Sequence, residues 1–445
     1  MTPASLPWSR RQFLSAVALG GVASAGAENR LLADSKFSTM TGTAPAELQS
    51  FDTLMSNFLV ENNVPGASLA VTRRGQLLLA RGYGLAQVER RERVAPTSLF
   101  RIASVSKPLT AVAILQLVEQ GKLRLQDRVM QRMAMTAKPG FPSPPDPRWN
   151  QITIRHCLQH TGGWDRDRSG DPIGQPRRVA EVLEKPLPVS PEDLVRYLLQ
   201  QPLDFTPGER YAYSNVGYLV LGRVIESVSG ESYEGYVKKH ILQPLRITTA
   251  RLGKTFPFSR APNEVEYYDP QKRMVPGVIP PVVGTSVPIQ YGGENFDAFE
   301  SHGGWIASAI DLVKFASAFD DRNSSPLLKP ESIKAMWERP EGSAGTDPNG
   351  APLPTYYGCG WSVRPVGRNG QANTWHTGLI AGSGSLLVRR WDGLNWAVLF
   401  NTHANGRGDV LTNLIDGPLH GAADAVKSWP AQDLFPVYQL QSGLR

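Results

Sequence analysis

Between residues 109 and 118 the chain carries Leu, Ala, Val or Ile at almost every position, with only Thr110 and Gln116 polar. A helix built from that run has no broad wet face, so the rest of the chain must surround it. The pattern predicts a start around Ser104-Val105-Ser106-Lys107-Pro108 and an end at Gly121. Pro108 lies within about one turn of the start, where a missing N–H costs few helix hydrogen bonds, and glycine stops helices. Ser104 and Lys107 are three apart and therefore share a helix face. A serine hydroxyl becomes a nucleophile when a neighbour removes its proton. A desolvated lysine, its neutral form within reach, can do that or help another base do it. The helix N-terminus adds positive potential where an alkoxide would develop. Alone, Ser-x-x-Lys equally describes a capping serine followed by a surface lysine, so its context decides.

A chain of 445 residues accommodates one large two-lobed domain or two to three small ones. With 41% hydrophobic and 20% charged residues it reads as globular. The net charge of +7 is spread over pairs such as Arg73-Arg74, Arg90-Arg91 and Lys238-Lys239 without a long run. That describes a solvated basic surface, and no nucleic-acid partner is expected. At the N-terminus, Arg10-Arg11 precedes a short apolar run over 15–23 and small residues ending in Ala25-Gly26-Ala27. Twin arginines, a modest apolar core and an Ala-x-Ala site predict a twin-arginine export signal over 1–27. The run is too short to span a bilayer, and no other membrane span is expected once it is removed. Its loss takes two arginines and no acid, leaving +5. The expected location is periplasmic or extracellular. Cys157 and Cys359 are expected to be two free, buried thiols.

Residues 28–44 read as a linker, 45–425 as one domain and 426–445 as a tail. Helical spacing runs over 48–60 and is broken by Asn62-Asn63-Val64-Pro65-Gly66. Two apolar strands, 67–71 and 76–80, flank the turn Arg73-Arg74-Gly75. Residues 134–190 are irregular and Pro-rich, with one short helix over 153–159. Helices are predicted over 194–201, opened by Ser190-Pro191, and over 215–228 and 231–242. The long loop 256–300 is expected to hold a small hairpin, with 266–268 pairing with 273–275 across Asp269-Pro270-Gln271-Lys272. Helices over 308–319 and 330–338 follow, then strands over 357–365, 373–380, 383–391 and 395–403, and a last helix over 409–425. Asp392-Gly393 turns the final hairpin. The fold class is α/β (α+β): an antiparallel sheet built from both ends of the chain (45–130 and 300–425), flanked by helices, with an all-helical lobe (131–299) inserted.

Two further segments suit the chemistry of Ser104 and Lys107. Tyr213-Ser214-Asn215 follows the turn Thr206-Pro207-Gly208 and precedes a helix. A tyrosinate base needs nearby cations such as Lys107 to bring its pKa down from about 10. Asn215 could hold Lys107 or bind a substrate carbonyl through its amide. His376-Thr377-Gly378 lies within a predicted strand, where glycine lets a ligand approach the backbone. The N–H of Leu379 could pair with that of Ser104 as an oxyanion hole. His160-Thr161-Gly162 has the same letters but sits in a turn and reads as structural.

Ser-x-x-Lys, Tyr-x-Asn and His-Thr-Gly, in that order, resemble the serine β-lactamase and penicillin-binding-protein superfamily. Within it the likeness is to the class C-like branch of family VIII carboxylesterases, D-stereospecific aminopeptidases and D-alanyl-D-alanine carboxypeptidases. It covers about residues 48–405, including Val64-Pro65-Gly66-Ala67, Phe100-Arg101-Ile102-Ala103-Ser104, Ile152-Thr153-Ile154-Arg155-His156 and Gly303-Gly304-Trp305-Ile306-Ala307-Ser308. The resemblance implies a β-lactamase-like fold and an acyl-enzyme on Ser104, with Lys107 and Tyr213 sharing its proton. It implies that Asn215, His376, Thr377, Gly378 and Leu379 position substrate. Which of Lys107 and Tyr213 is the formal base stays open.

The departure is histidine where class C β-lactamases carry Lys-Thr-Gly. A mostly uncharged imidazole offers no permanent cation to a substrate carboxylate, which favours an ester, amide or cell-wall peptide over a β-lactam. Arg389 or Arg390 could restore the charge, although alternation points only one inward. Trp305, Trp375, Tyr291 and Phe296 are candidates for an apolar acyl pocket. His156, Cys157 and His160 lack a visible fourth ligand, so no metal or other cofactor is expected. There is no Gly-x-Ser-x-Gly elbow.

Overall fold

The computed structural model describes residues 40–134, 142–366 and 371–442. The expected signal over 1–27 lies outside them. The strands are β1 Thr41–Thr43, β2 Gly66–Arg73, β3 Gln76–Gln87, β4 Glu92–Arg93, β5 Phe100–Arg101, β6 Arg251–Leu252, β7 Met274–Pro276, β8 Ser286–Pro288, β9 Trp305–Ala307, β10 Tyr356–Tyr357, β11 Ser362–Val366, β12 Gln371–Ile380, β13 Ser383–Arg389 and β14 Leu394–Phe400. The principal helices are α1 Gln49–Glu61, α2 Ser106–Glu119, α3 Ile154–Leu158, α4 Pro191–Leu198, α5 Asn215–Ser229, α6 Ala309–Ser317, α7 Leu411–Asp424 and α8 Phe435–Ser442.

The main sheet has nine strands in the order β1-β3-β2-β14-β13-β12-β11-β10, with β4 attached to β3. Antiparallel pairing of β14 with β2, Ala397 opposite Ala70, stitches the two ends of the chain together. Two apolar clusters lie on its faces. One joins the sheet to α2, α5, α6 and the helical residues between them. The other packs the opposite face under α1 and α7. This is a β-lactamase-like α/β arrangement of helix, sheet and helix layers, each sheet face burying apolar side chains against helices. Among the described residues no helix is long and apolar enough to cross a membrane.

Helix α2 is buried on every side, as its composition requires. The two polar positions of its apolar run, 109–118, are both paired. Thr110 donates to the Ser301 carbonyl at 2.7 Å, and Gln116 donates to the carbonyls of His240 and Leu327. Cys157 and Cys359 are free and buried.

Six expectations need correction. The lobe inserted over 131–299 is not all-helical, since β6 pairs with β9 and β7 with β8. Residues 134–190, expected to be irregular apart from 153–159, also hold a helix at Pro176–Val182. Residues 266–268 form no strand: β7 pairs with β8 instead. The Asp269 turn does close, with the Arg273 N–H donating to its carboxylate at 2.8 Å. The 266–268 segment, however, is drawn to the main body, where the Glu266 and Tyr268 N–H groups donate to the carbonyls of Ala86 and Asn401. The expected strand 357–365 is broken between β10 and β11, because the chain there crosses the first turn of α2. Gly360, at φ +83, would place a Cβ 2.7 Å from the Ala111 Cβ. Residues 41–43 of the expected linker form edge strand β1. Residues 435–442 of the expected tail form α8, with Leu434, Phe435 and Tyr438 buried in the core.

Candidate active site

Ser104 sits in a single 3-10 turn, Ala103–Val105, between β5 and α2. Ala103 has φ +45, a left-handed conformation that costs energy for any residue with a Cβ. The turn is held on both sides. The Ile102 N–H donates to the Trp305 carbonyl at 3.0 Å, and the Ser385 and Ser383 hydroxyls donate to the carbonyls of Ile102 and Arg101, both at 2.7 Å. Gly378 explains how strand β12 comes so close: a Cβ there would lie 2.2 Å from the Ile102 carbonyl oxygen. Any larger residue would push β12 off the serine turn.

Lys107, one residue into α2, is wholly inaccessible, whereas Ser104 is half-buried. Its Nζ lies 2.8 Å from each of three oxygens: Ser104 Oγ, Asn215 Oδ1 and the His302 carbonyl. Burial holds the amine well below its ordinary pKa. The Arg166 cation depresses it further, and the Asp171 carboxylate pulls the other way. A neutral amine has two N–H groups and one lone pair. Two of its three neighbours are carbonyl oxygens, which only accept, so the lone pair is left for the Ser104 hydroxyl.

Tyr213 and Asn215 arrive together because Ser214 caps α5, its Oγ accepting from the Val216 N–H. The Tyr213 hydroxyl donates to Ser104 Oγ at 2.8 Å. Of the two candidate bases left open, a Tyr213 tyrosinate is the one that the surroundings disfavour. Burial pushes Tyr213 well above its ordinary range, and the hydrogen bond with Ser104 offsets only part of that. Asn215 is engaged at both ends, with Oδ1 accepting from Lys107 and Nδ2 donating to Asp171 Oδ2 at 2.6 Å.

His376 is buried, its Nε2 2.8 Å from the Tyr357 hydroxyl and its Nδ1 2.6 Å from the Thr377 carbonyl. Since only a protonated ring nitrogen can donate to a carbonyl, Nδ1 carries the proton and Nε2 accepts from Tyr357. Burial pulls His376 down to about 3, so it is neutral. Strand alternation puts His376 and Gly378 on the buried side of β12 and Thr377 and Leu379 on the more open side, with Leu379 exposed. His160 packs against Tyr213 with tilted rings whose centroids are 4.3 Å apart, and its Nδ1 accepts from the Ser214 N–H. The second His-Thr-Gly therefore buttresses the tyrosine.

The structure thus joins Ser104, Lys107, Tyr213 and Asn215 by direct hydrogen bonds and brings the 376–378 strand against the serine turn. It does not place either candidate arginine there. Arg389 donates to the Phe319 carbonyl, and Arg390 pairs with Asp392 and Asp424. The expected aromatic pocket also dissolves. Trp305 is core, its indole N–H donating to Tyr233, and Trp375 packs toward α1 and α7. Tyr291 and Phe296 enclose the Arg101 guanidinium instead. Sequence reading misses Asp171, Arg166, Tyr357 and the His302 carbonyl. Asp171-Pro172 looks like an ordinary turn cap, and a backbone carbonyl leaves no mark in a sequence.

The Beta-lactamase family model matches residues 51–416. Protein flp of Staphylococcus aureus strain MW2 is 31% identical over 199 residues, 45% of this chain and 37% of that protein. The putative penicillin-binding protein PbpX of Bacillus subtilis strain 168 is 29% identical over 311 residues, 70% of this chain and 65% of that protein. The chain therefore spans less than two thirds of the length of these relatives. Among solved structures, the octameric penicillin-binding protein homologue from Pyrococcus abyssi superposes with a TM-score of 0.60 at 26% identity. That alignment covers 84% of this chain and 77% of the other.

Proposed function

The chain belongs to the beta-lactamase family, and from that premise we propose that it is a serine hydrolase that cleaves an ester or amide through an acyl-enzyme on Ser104. The observation that carries this reading is a half-buried hydroxyl 2.8 Å from both a buried amine and a half-buried phenol. As Ser104 Oγ attacks the carbonyl carbon, its proton passes to the Lys107 lone pair. The resulting ammonium is received by Asn215 Oδ1 and the His302 carbonyl, which already accept from it. Tyr213, neutral at rest, relays that proton to the leaving group, and the same path run backwards activates the water that releases the acyl group. The N–H groups of Ser104 and Leu379 lie on adjacent segments and suit an oxyanion hole.

A neutral His376 leaves the strand side of the cleft without a fixed cation. That supports a carboxylesterase or D-amino-acid peptidase in preference to a β-lactamase. The relatives named as penicillin-binding proteins support cell-wall peptides as one substrate class. We also place the protein outside the cytoplasm, on the strength of Arg10-Arg11 and the Ala-x-Ala site. A reporter fused to residues 1–27 should be exported, and Arg10→Lys with Arg11→Lys should retain it in the cell.

Incubation with a fluorophosphonate or a labelled penicillin should leave an adduct on Ser104. Labelling of the wild type no greater than that of Ser104→Ala would falsify the reading. A panel of p-nitrophenyl esters, nitrocefin and D-alanyl peptides then fixes the substrate class. A burst without steady-state turnover would instead identify a peptide-sensing protein that is acylated but does not hydrolyse.

A further inference from the structure

An asparagine amide is nearly symmetric in shape, so something must decide which end of Asn215 faces Lys107. Asp171 decides it. Its Oδ2 lies 2.6 Å from Asn215 Nδ2, and a carboxylate only accepts, so the NH2 group must point at Asp171 and the oxygen at Lys107. The reversed amide would set N–H against the Lys107 N–H groups and oxygen against the carboxylate, two repulsive contacts. Asp171 is itself anchored: its Oδ1 accepts from the Ile173 N–H at 3.1 Å, capping the turn Pro172–Gly174.

We propose that Asp171 is a positioning residue for the reaction, fixing the Asn215 oxygen on the Lys107 amine and keeping a negative charge beside it. The inference rests on Ser104 and Lys107 acting as nucleophile and base. Its consequence is that the Lys107 lone pair faces Ser104 only while Asn215 and the His302 carbonyl take both N–H groups. A loosened Asn215 would let the amine turn away.

The charge effect is separable from the orientation effect. Facing Lys107 are Tyr213 before α5 and Tyr218 within it, His160 after α3, His302 in the turn Glu300–Gly303, and His376 on β12. All are held neutral by burial. Among the described residues, the charged side chains that act on Lys107 are two, both from one short segment. Arg166 lies over the Tyr213 ring at 4.8 Å, and Asp171 lies behind Asn215. They push Lys107 in opposite directions.

The test compares Asp171→Asn, Asp171→Ala and Arg166→Gln with wild type in the pH dependence of kcat/KM for a p-nitrophenyl ester. Fluorophosphonate labelling of Ser104 and thermal melting are followed in parallel. Activity requires neutral Lys107, so its acid limb follows that amine. Removing the anion should move the limb to lower pH by about one unit in both Asp171 variants, and Arg166→Gln should move it up. Asp171→Ala should also lower kcat about 10- to 100-fold with KM little changed, the cost of a misaligned amide. Asp171→Asn still offers an oxygen to Asn215 and should recover most of that loss. An unmoved acid limb, or Asp171→Asn as damaging as Asp171→Ala, overturns the inference while leaving an acyl-enzyme seen by labelling intact. Absence of wild-type labelling removes both. If Asp171→Ala does not fold, the Asp171→Asn limb alone decides.

Discussion

Two long basic side chains enter the interior within six residues of each other, Arg101 at the end of β5 and Lys107 at the start of α2. Both are essentially inaccessible. Their surroundings differ in kind. The Arg101 guanidinium donates to the carbonyls of Gln290, Lys254 and Thr255 and is flanked by the rings of Tyr267, Phe296 and Tyr291 at 4.4, 4.4 and 5.7 Å. A guanidinium does not give up its proton in a protein, so its site has been built to solvate a permanent cation. Lys107 meets three oxygens and a ring of buried neutral groups, and it can shed its charge. Burial makes a base only where the head group can lose its proton and a neighbour has one to donate. The Arg101 side chain ties the end of β5 to the 254–255 and 290 backbone, whereas Lys107 is fitted to act on the serine.

The sharpest way to break that contrast is to make the second site like the first. Lys107→Arg installs a group that cannot deprotonate, and kcat/KM should fall about 10³- to 10⁴-fold, with Ser104 labelling slowed in proportion. Near-normal rates would remove Lys107 from the mechanism. Next in size is the penalty that the neutral ring carries in acid. His376 has its folded pKa pulled down to about 3, below its unfolded value. Its contribution is therefore intact above about pH 6.5 and is lost as pH falls toward 3, amounting to about 4 kcal/mol. Denaturant titrations at pH 7 and pH 4 should show a smaller acid loss in His376→Gln than in wild type.

Arg101→Met tests the structural half of the comparison. Orphaning three buried carbonyls should cost about 3 kcal/mol of stability, read as a lower denaturation midpoint. Per folded molecule, Ser104 labelling should fall far less than in Lys107→Arg. The smallest effect expected is that of Tyr213→Phe, which keeps the ring contact with His160 and removes only the relay. A loss of about 10²-fold in kcat is anticipated, and an unchanged rate would assign all proton transfer to Lys107.

Much of this architecture is legible in the order of residues. The apolar run at 109–118 announces a buried helix, and the succession of strands after 357, turned at Asp392-Gly393, announces an antiparallel sheet closing onto 66–87. Ser104, Lys107, Tyr213 and Asn215 are recognisable because their spacing is local. Less visible is everything set by contacts distant in sequence. The 266–268 segment contains good strand formers, yet it lies against Ala86 and Asn401 because backbone partners are available there. Trp305, Tyr291 and Phe296 look like a pocket by composition, but two of them serve a guanidinium that no local pattern would pair with them. Arg389 and Arg390 are drawn off by Phe319, Asp392 and Asp424.

The chain's residue order by itself determined which side chains could take part: a hydroxyl and an amine on one helical face, a phenol and an amide on one capped loop, and a glycine where a strand must press close. Tertiary structure alone decided their protonation and direction. Desolvation is the sum over every wall of a cavity, and the walls around Lys107 come from the 160s, 171, 213–218, 302 and 376. No window of sequence contains them all, and so none can say that the lysine is an amine, the tyrosine a phenol, or which end of Asn215 turns inward.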